Sequence, residues 1–144
     1  MLYTEITGLK KRKALCNSII IWFKSQHLKR YKLNIFVEHK NLLKTDGIYA
    51  SCMVCGSLSR PREFLIEIEK TLDDENYIRT LNHELVHLQQ WCRGNLTIKK
   101  SKLHWNNENI EDYVYDEAPH EQEAAIMQDI LYKDFIEYNC LLTE

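Results

Sequence analysis

Residues 82–91 read Asn-His-Glu-Leu-Val-His-Leu-Gln-Gln-Trp, and the spacing of their polar groups is that of a helix. Side chains four positions apart share a helical face, so His83 and His87 stand one turn above each other. At about 100° per residue, Ile78, Leu81, Leu85, Leu88 and Cys92 form one apolar stripe, and the two histidines fall almost opposite it. Asn82, Gln89 and Arg93 occupy the side between. Asp73 or Asp74 supplies an N-cap and Gly94 a C-terminal stop, so the segment predicts a helix of roughly twenty residues lying between a core and a cleft.

A histidine at each end of one turn, with Glu84 beside the first, is the H-E-x-x-H arrangement. Two imidazoles on one face can reach a single tetrahedral ion about 2 Å away. Glu84 points slightly round the helix, where it can take a proton from water without occupying a coordination position. A chain with six His and fourteen Glu in 144 positions gives this pattern by chance about once in forty. The helical context is therefore needed to favour a metal site over a polar turn.

Working outward, the composition bounds the rest. A chain of 144 residues, 44% hydrophobic and 28% charged, suits one soluble domain spanning 1–144. Nineteen basic residues against twenty-one acidic ones leave no sequence-wide basic field, so no nucleic-acid partner is expected. Five cysteines at scattered positions do not form a secreted disulfide framework, which favours a reducing, cytoplasmic setting. The run Ala14 to Phe23 follows Lys10–Lys13 and loosely resembles an export signal. Asn17 and Ser18 break it, however, and Leu15, Ile19, Trp22, Phe23 and Gln26 fall at helical spacing, predicting an amphipathic first helix. No apolar run is long enough to span a bilayer.

Between the two helices, period-two alternation predicts strands. Leu33, Ile35 and Val37 form one; Gly47 opens a second through Ile48, Tyr49, Cys52 and Val54; and Phe64, Ile66 and Ile68 form a third. The glutamates of the third and Pro61 before it suggest that Glu63–Ile68 is an exposed edge strand. Leu96 to Ala118 is polar and mixed, predicting loop with short elements. Pro119 stands where a first-turn proline belongs, and a last helix is expected to run to about Tyr138.

Two histidines leave one protein ligand to be found. Candidates are His104, His120, Glu121 and Glu123, with Asp116 or Glu117 more remote. Cys52-x-x-Cys55 has no second pair to complete a thiolate zinc site.

HELVHLQQW with Gly94, Leu96 and Trp105, followed by Tyr-x-x-x-Pro-x-Glu-x-Glu-Ala from Tyr115 to Ala124, resembles the small gluzincin-type metallopeptidases called minigluzincins, many of them phage-encoded. The resemblance covers about Asp73 to Ala125. It implies a single-domain α+β zincin-like fold, with an N-terminal helix, a small mixed sheet with an exposed edge strand, the HELVH helix, and a C-terminal helix carrying the third ligand. It also implies one zinc ion per chain and hydrolysis of peptide bonds with Glu84 as general base. Related enzymes place a small residue four positions after the ligand glutamate. Glu121 with Ala125 fits that spacing better than Glu123 with Met127, leaving Glu123 as a bracing carboxylate. Tyr115, with Tyr113 in reserve, is implied as the hydrogen-bond donor to the developing oxyanion. His120 departs from the family pattern, in which tryptophan is common after the proline. Peptide substrate would pair along Glu63–Ile68, and the setting would be the host cytoplasm if the chain is viral.

Two other readings follow from the same residues. His104 in place of the glutamate would give an all-histidine site like that of SprT-like proteases, which act on DNA-associated proteins, although the chain has no zinc ribbon and no basic stripe. A metal-containing module that binds a partner without chemistry is the third, and Glu84 counts against it because such a module needs no general base.

Overall fold

The structure, a computed structural model, describes residues 1–143, with the side chains of residues 1–140. The order of elements is β1 (Leu2–Thr7), α1 (Lys13–His27), β2 (Leu33–Lys40), a single turn α2 (Leu42–Thr45), β3 (Ala50–Val54), β4 (Glu63–Glu69), α3 (Asp74–Arg93), the short strands β5 (Leu96–Lys99), β6 (Lys102–Trp105) and β7 (Glu108–Asn109), and α4 (Pro119–Thr143). Turns of 3-10 helix lie at Lys10–Arg12 and Tyr115–Glu117. This is an α+β fold.

β1 through β4 form one sheet in the order β1-β2-β4-β3. β1 and β4 run parallel to β2 on either side of it, and β3 runs antiparallel to β4. The β1–α1–β2 crossover explains why a helix separates the first parallel pair. The expected alternation in β2 and β4 is present: Leu33, Ile35, Val37, Phe64, Ile66 and Ile68 are buried on one face. α1 and α3 cover that face, contributing Ile19, Ile20, Phe23, Ile78, Leu81, Leu85 and Leu88 to the same core. α4 packs on α3 and adds Ala124, Leu131 and Phe135.

One expectation is corrected. Glu63–Ile68 is not an edge strand, because β4 pairs with β2 on one side and β3 on the other. Glu63, Leu65 and Glu67 line the sheet's outer face, where Glu67 pairs with Lys40. Period-two alternation identifies a face and carries no information about an edge. Pro61 lies before the strand, so its missing N–H removes no ladder bond. The edge beside α3 belongs to β3.

β1 lies outside the three strands that the alternation predicts. It ends at Gly8, whose φ is 91° and where a Cβ would sit 2.3 Å from the carbonyl oxygen of His39. The strand is held at its end by His39, whose ring contacts the Thr7 carbonyl at 2.9 Å through Nδ1 and the Tyr77 hydroxyl at 2.7 Å through Nε2.

α3 begins and ends where the sequence indicates. The Asp73 carboxylate accepts the Asn76 N–H at 2.9 Å, and Asp74 and Glu75 place negative charge in the first turn. Gly94 closes the helix at φ 80°. Pro119 starts α4 as expected, and the helix continues beyond Tyr138 to Thr143. The segment after α3 forms a small antiparallel meander, β5-β6-β7, whose two tight turns use left-handed residues, Lys100–Ser101 and Asn106–Asn107.

Candidate metal centre

The two histidines project from α3 toward the first turn of α4. Nε2 of His83 lies 3.1 Å, and Nε2 of His87 3.0 Å, from the same oxygen, Oε1 of Glu121. Among the described residues, His83, His87 and Glu121 form a group that could hold a metal ion. Arg79 of α3 pairs with Asp129 of α4 and lies 4.2 Å over the Tyr132 ring, tying the two helices together.

The donor set fits a cation. Ligands about 2.0–2.1 Å from a tetrahedral ion stand about 3.3 Å apart, close to the separations here. Hydrogen bonding on the far side of each ring adds a second argument. Nδ1 of His83 meets Oε1 of Gln128 at 2.7 Å, and Nδ1 of His87 meets Oε1 of Gln90 at 2.8 Å. The Gln90 amide cannot be turned round, because its Nε2 donates to the His120 carbonyl at 3.1 Å and to Oε1 of Glu123 at 2.9 Å. His87 therefore donates through Nδ1, and a neutral ring then turns a lone pair on Nε2 toward a carboxylate oxygen. Two acceptors at 3.0 Å repel unless a proton or a metal ion lies between them.

In the absence of a metal, a proton on His87 would fill that role. Burial opposes a charge on His87, but the Glu121 hydrogen bond and the negative charge of Glu121 and Glu84, with Gln90, outweigh it and raise its pKa above 6.5. Burial alone would raise Glu121, yet the two histidines hold its carboxyl far below the usual carboxylate range. Glu84 is buried, 6% exposed. Desolvation raises its pKa, opposed by His87 and His83 and assisted by Glu121.

These groups line one cleft of about 1120 Å³ between α3, the segment from Leu43 to Cys52, and the start of α4. Tyr115 lies in its wall. Partial burial, then the negative charge of Glu121 and Glu84, pushes its phenol pKa up, although the residue as a whole is 68% exposed. Tyr113 does not line the cleft. His120 does, with Nε2 at 3.7 Å from Oε2 of Glu121 and a buried Nδ1 that has no hydrogen-bond partner. Burial, opposed by Glu121 and helped by His87 and His83, lowers its pKa. Glu123 is turned away from the histidines onto Gln90. His104 lies on β6, its Nδ1 facing the Lys102 carbonyl at 2.9 Å, outside the group.

Gln90 and Gln128, which hold the two rings, carry no signal of that role in the sequence motif. A glutamine three positions after His87 does share its helical face, but the partners of its amide come from another helix.

No helix of the described residues is long and apolar enough to cross a membrane. Compared with known protein families, curated proteins and solved structures, the chain matches none.

Proposed function

We propose that the protein is a zinc-dependent metallopeptidase working in a cytoplasmic setting, where its five cysteines would stay reduced. The observation that carries this reading is the convergence of His83, His87 and Glu121 beside a buried Glu84 in a cleft bordered by an open strand edge. Two imidazoles and one carboxylate favour zinc among divalent ions. The ion would supply Lewis acidity toward water and toward a peptide carbonyl.

The chain's own residues perform the other tasks. Glu84 stands on the same helix as the histidines, and its raised proton affinity suits a general base that removes a proton from water and later passes it to the leaving amine. The Tyr115 hydroxyl, kept protonated by its neighbours, can donate to a carbonyl oxygen that gains negative charge. Substrate would pair with β3. The Glu69 N–H binds the Tyr49 carbonyl and the Cys55 N–H binds the Glu63 carbonyl. By antiparallel alternation, residues 49, 51, 53 and 55 then bond to β4, while Ala50, Cys52 and Val54 turn their backbone groups outward. The position of Glu121, against that of His104, favours this reading over an all-histidine protease.

The test is elemental analysis after gel filtration without chelator, combined with peptide-library cleavage. About one zinc per chain, lost in His83→Ala and Glu121→Ala, is expected. Glu84→Gln should keep the metal and lower kcat/KM by about 10²–10⁴. A wild-type chain that takes up no metal when zinc is supplied refutes the proposal.

A further inference from the structure

We infer that Gln90 is a positioning residue for the metal site and that Glu123, although exposed, acts on the site through it. This rests on the metal-site reading above. His87 must offer Nε2 to the ion, and it does so reliably only if Nδ1 carries the proton. Gln90 presents its carbonyl oxygen to that nitrogen at 2.8 Å. Left to itself, a glutamine side chain could present either end of its amide. Here the amide nitrogen is held from two sides, by the His120 carbonyl at 3.1 Å and by Oε1 of Glu123 at 2.9 Å. Both are acceptors, so a flipped amide would face oxygen with oxygen at two places.

Gln90 is itself only 2% exposed, so each mismatch would be met without water to relieve it. The chain Glu123–Gln90–His87 thus transmits one instruction, the tautomer of His87, from the surface of α4 to the ligand on α3. The His120 carbonyl belongs to the residue before Glu121. The same contact therefore sets the spacing between the turn that carries the carboxylate ligand and the helix that carries the imidazoles. Glu123, two positions beyond Glu121 on α4, then serves as the anchor of the arrangement rather than as a ligand.

Groups that orient a ligating histidine commonly contribute 10–100-fold to metal affinity. Zinc affinity would be measured by competition with a chromophoric chelator for the full chain and for Gln90→Met, Glu123→Leu, Glu123→Gln and the double variant Gln90→Met/Glu123→Leu. Gln90→Met keeps the length of the side chain and removes its amide, and should weaken zinc about 10–100-fold. Glu123→Leu should weaken it in the same direction, and Glu123→Gln, which still offers an acceptor oxygen, should restore most of the loss. The double variant should be no weaker than Gln90→Met alone, because the two residues act in series.

If Gln90→Met binds zinc as wild type does, or if the Glu123 effect persists undiminished in the Gln90→Met background, the inference is wrong while the metal site stands. If the wild type binds no zinc, both are wrong. Should Gln90→Met fail to fold, the comparison of Glu123→Leu with Glu123→Gln on the surface of α4 still decides the matter: equal affinities at the wild-type level overturn the inference.

Discussion

Nε2 of His87 and Oε1 of Glu121 lie 3.0 Å apart across 34 positions of chain, one on α3 and the other in the first turn of α4. With no metal bound, a proton on His87 makes this contact an ion pair, and its pH dependence has two sides. The raised pKa of His87 contributes stability that is complete below the ordinary histidine value of 6.5 and is lost as pH rises through the raised value. The lowered pKa of Glu121 contributes stability present above 4.5 and lost as pH falls toward the lowered value. The pair therefore stabilises the metal-free protein most between about pH 4.5 and 6.5. Thermal unfolding in chelator across pH should show that window narrow or vanish in Glu121→Gln.

Zinc should reverse the alkaline side. The ion competes with the His87 proton, so affinity should rise by up to about tenfold per pH unit until pH passes the raised His87 value, then level off. Calorimetry in buffers of different ionisation enthalpy should record proton release on binding near neutral pH. Binding with no proton released would place the metal away from His87.

Along β3 the direction of the backbone groups makes a paired test. Cys52→Pro removes an outward N–H and leaves the ladder to β4 intact, so KM should rise about tenfold or more with kcat little changed. Ser51→Pro removes a ladder bond and should lower stability instead. Equal KM values for Cys52→Pro and wild type would rule out pairing of substrate at this edge.

At the far end of the sheet, Tyr77→Phe should cost about 1–3 kcal/mol in urea unfolding. His39 gives its Nδ1 proton to the Thr7 carbonyl, so its buried Nε2 depends on the Tyr77 hydroxyl as donor. An unchanged midpoint would mean that another group reaches that nitrogen.

Gly8→Ala should be more damaging, costing several kcal/mol (roughly 3 or more), because a left-handed φ of 91° coincides with a backbone oxygen 2.3 Å from the new Cβ. Expression with a greatly reduced Tm is the expected result; a near-normal Tm would show that the β1 end can move away from His39.

How much of this was legible in the chain follows from the range of each interaction. α3 could be read end to end because its determinants are local: a capping aspartate, an apolar stripe repeating with the helical period, and a terminal glycine. The placing of His83, Glu84 and His87 on one turn came with it. Pro119 and the acidic turn after it marked the start of α4 for the same reason. Which residue of that turn meets the histidines was a matter of packing: α4 crosses α3 so that Glu121 faces the two rings and Glu123, little more than half a turn away, faces Gln90. Strand faces were written in the alternation of β2 and β4, but strand neighbours were not, since hydrogen-bonded ladders form between backbones that are alike in every sequence. Only the tertiary structure could move the open edge from Glu63–Ile68 to Ala50–Val54, and only it could join His87, Gln90 and Glu123 into one hydrogen-bonded chain.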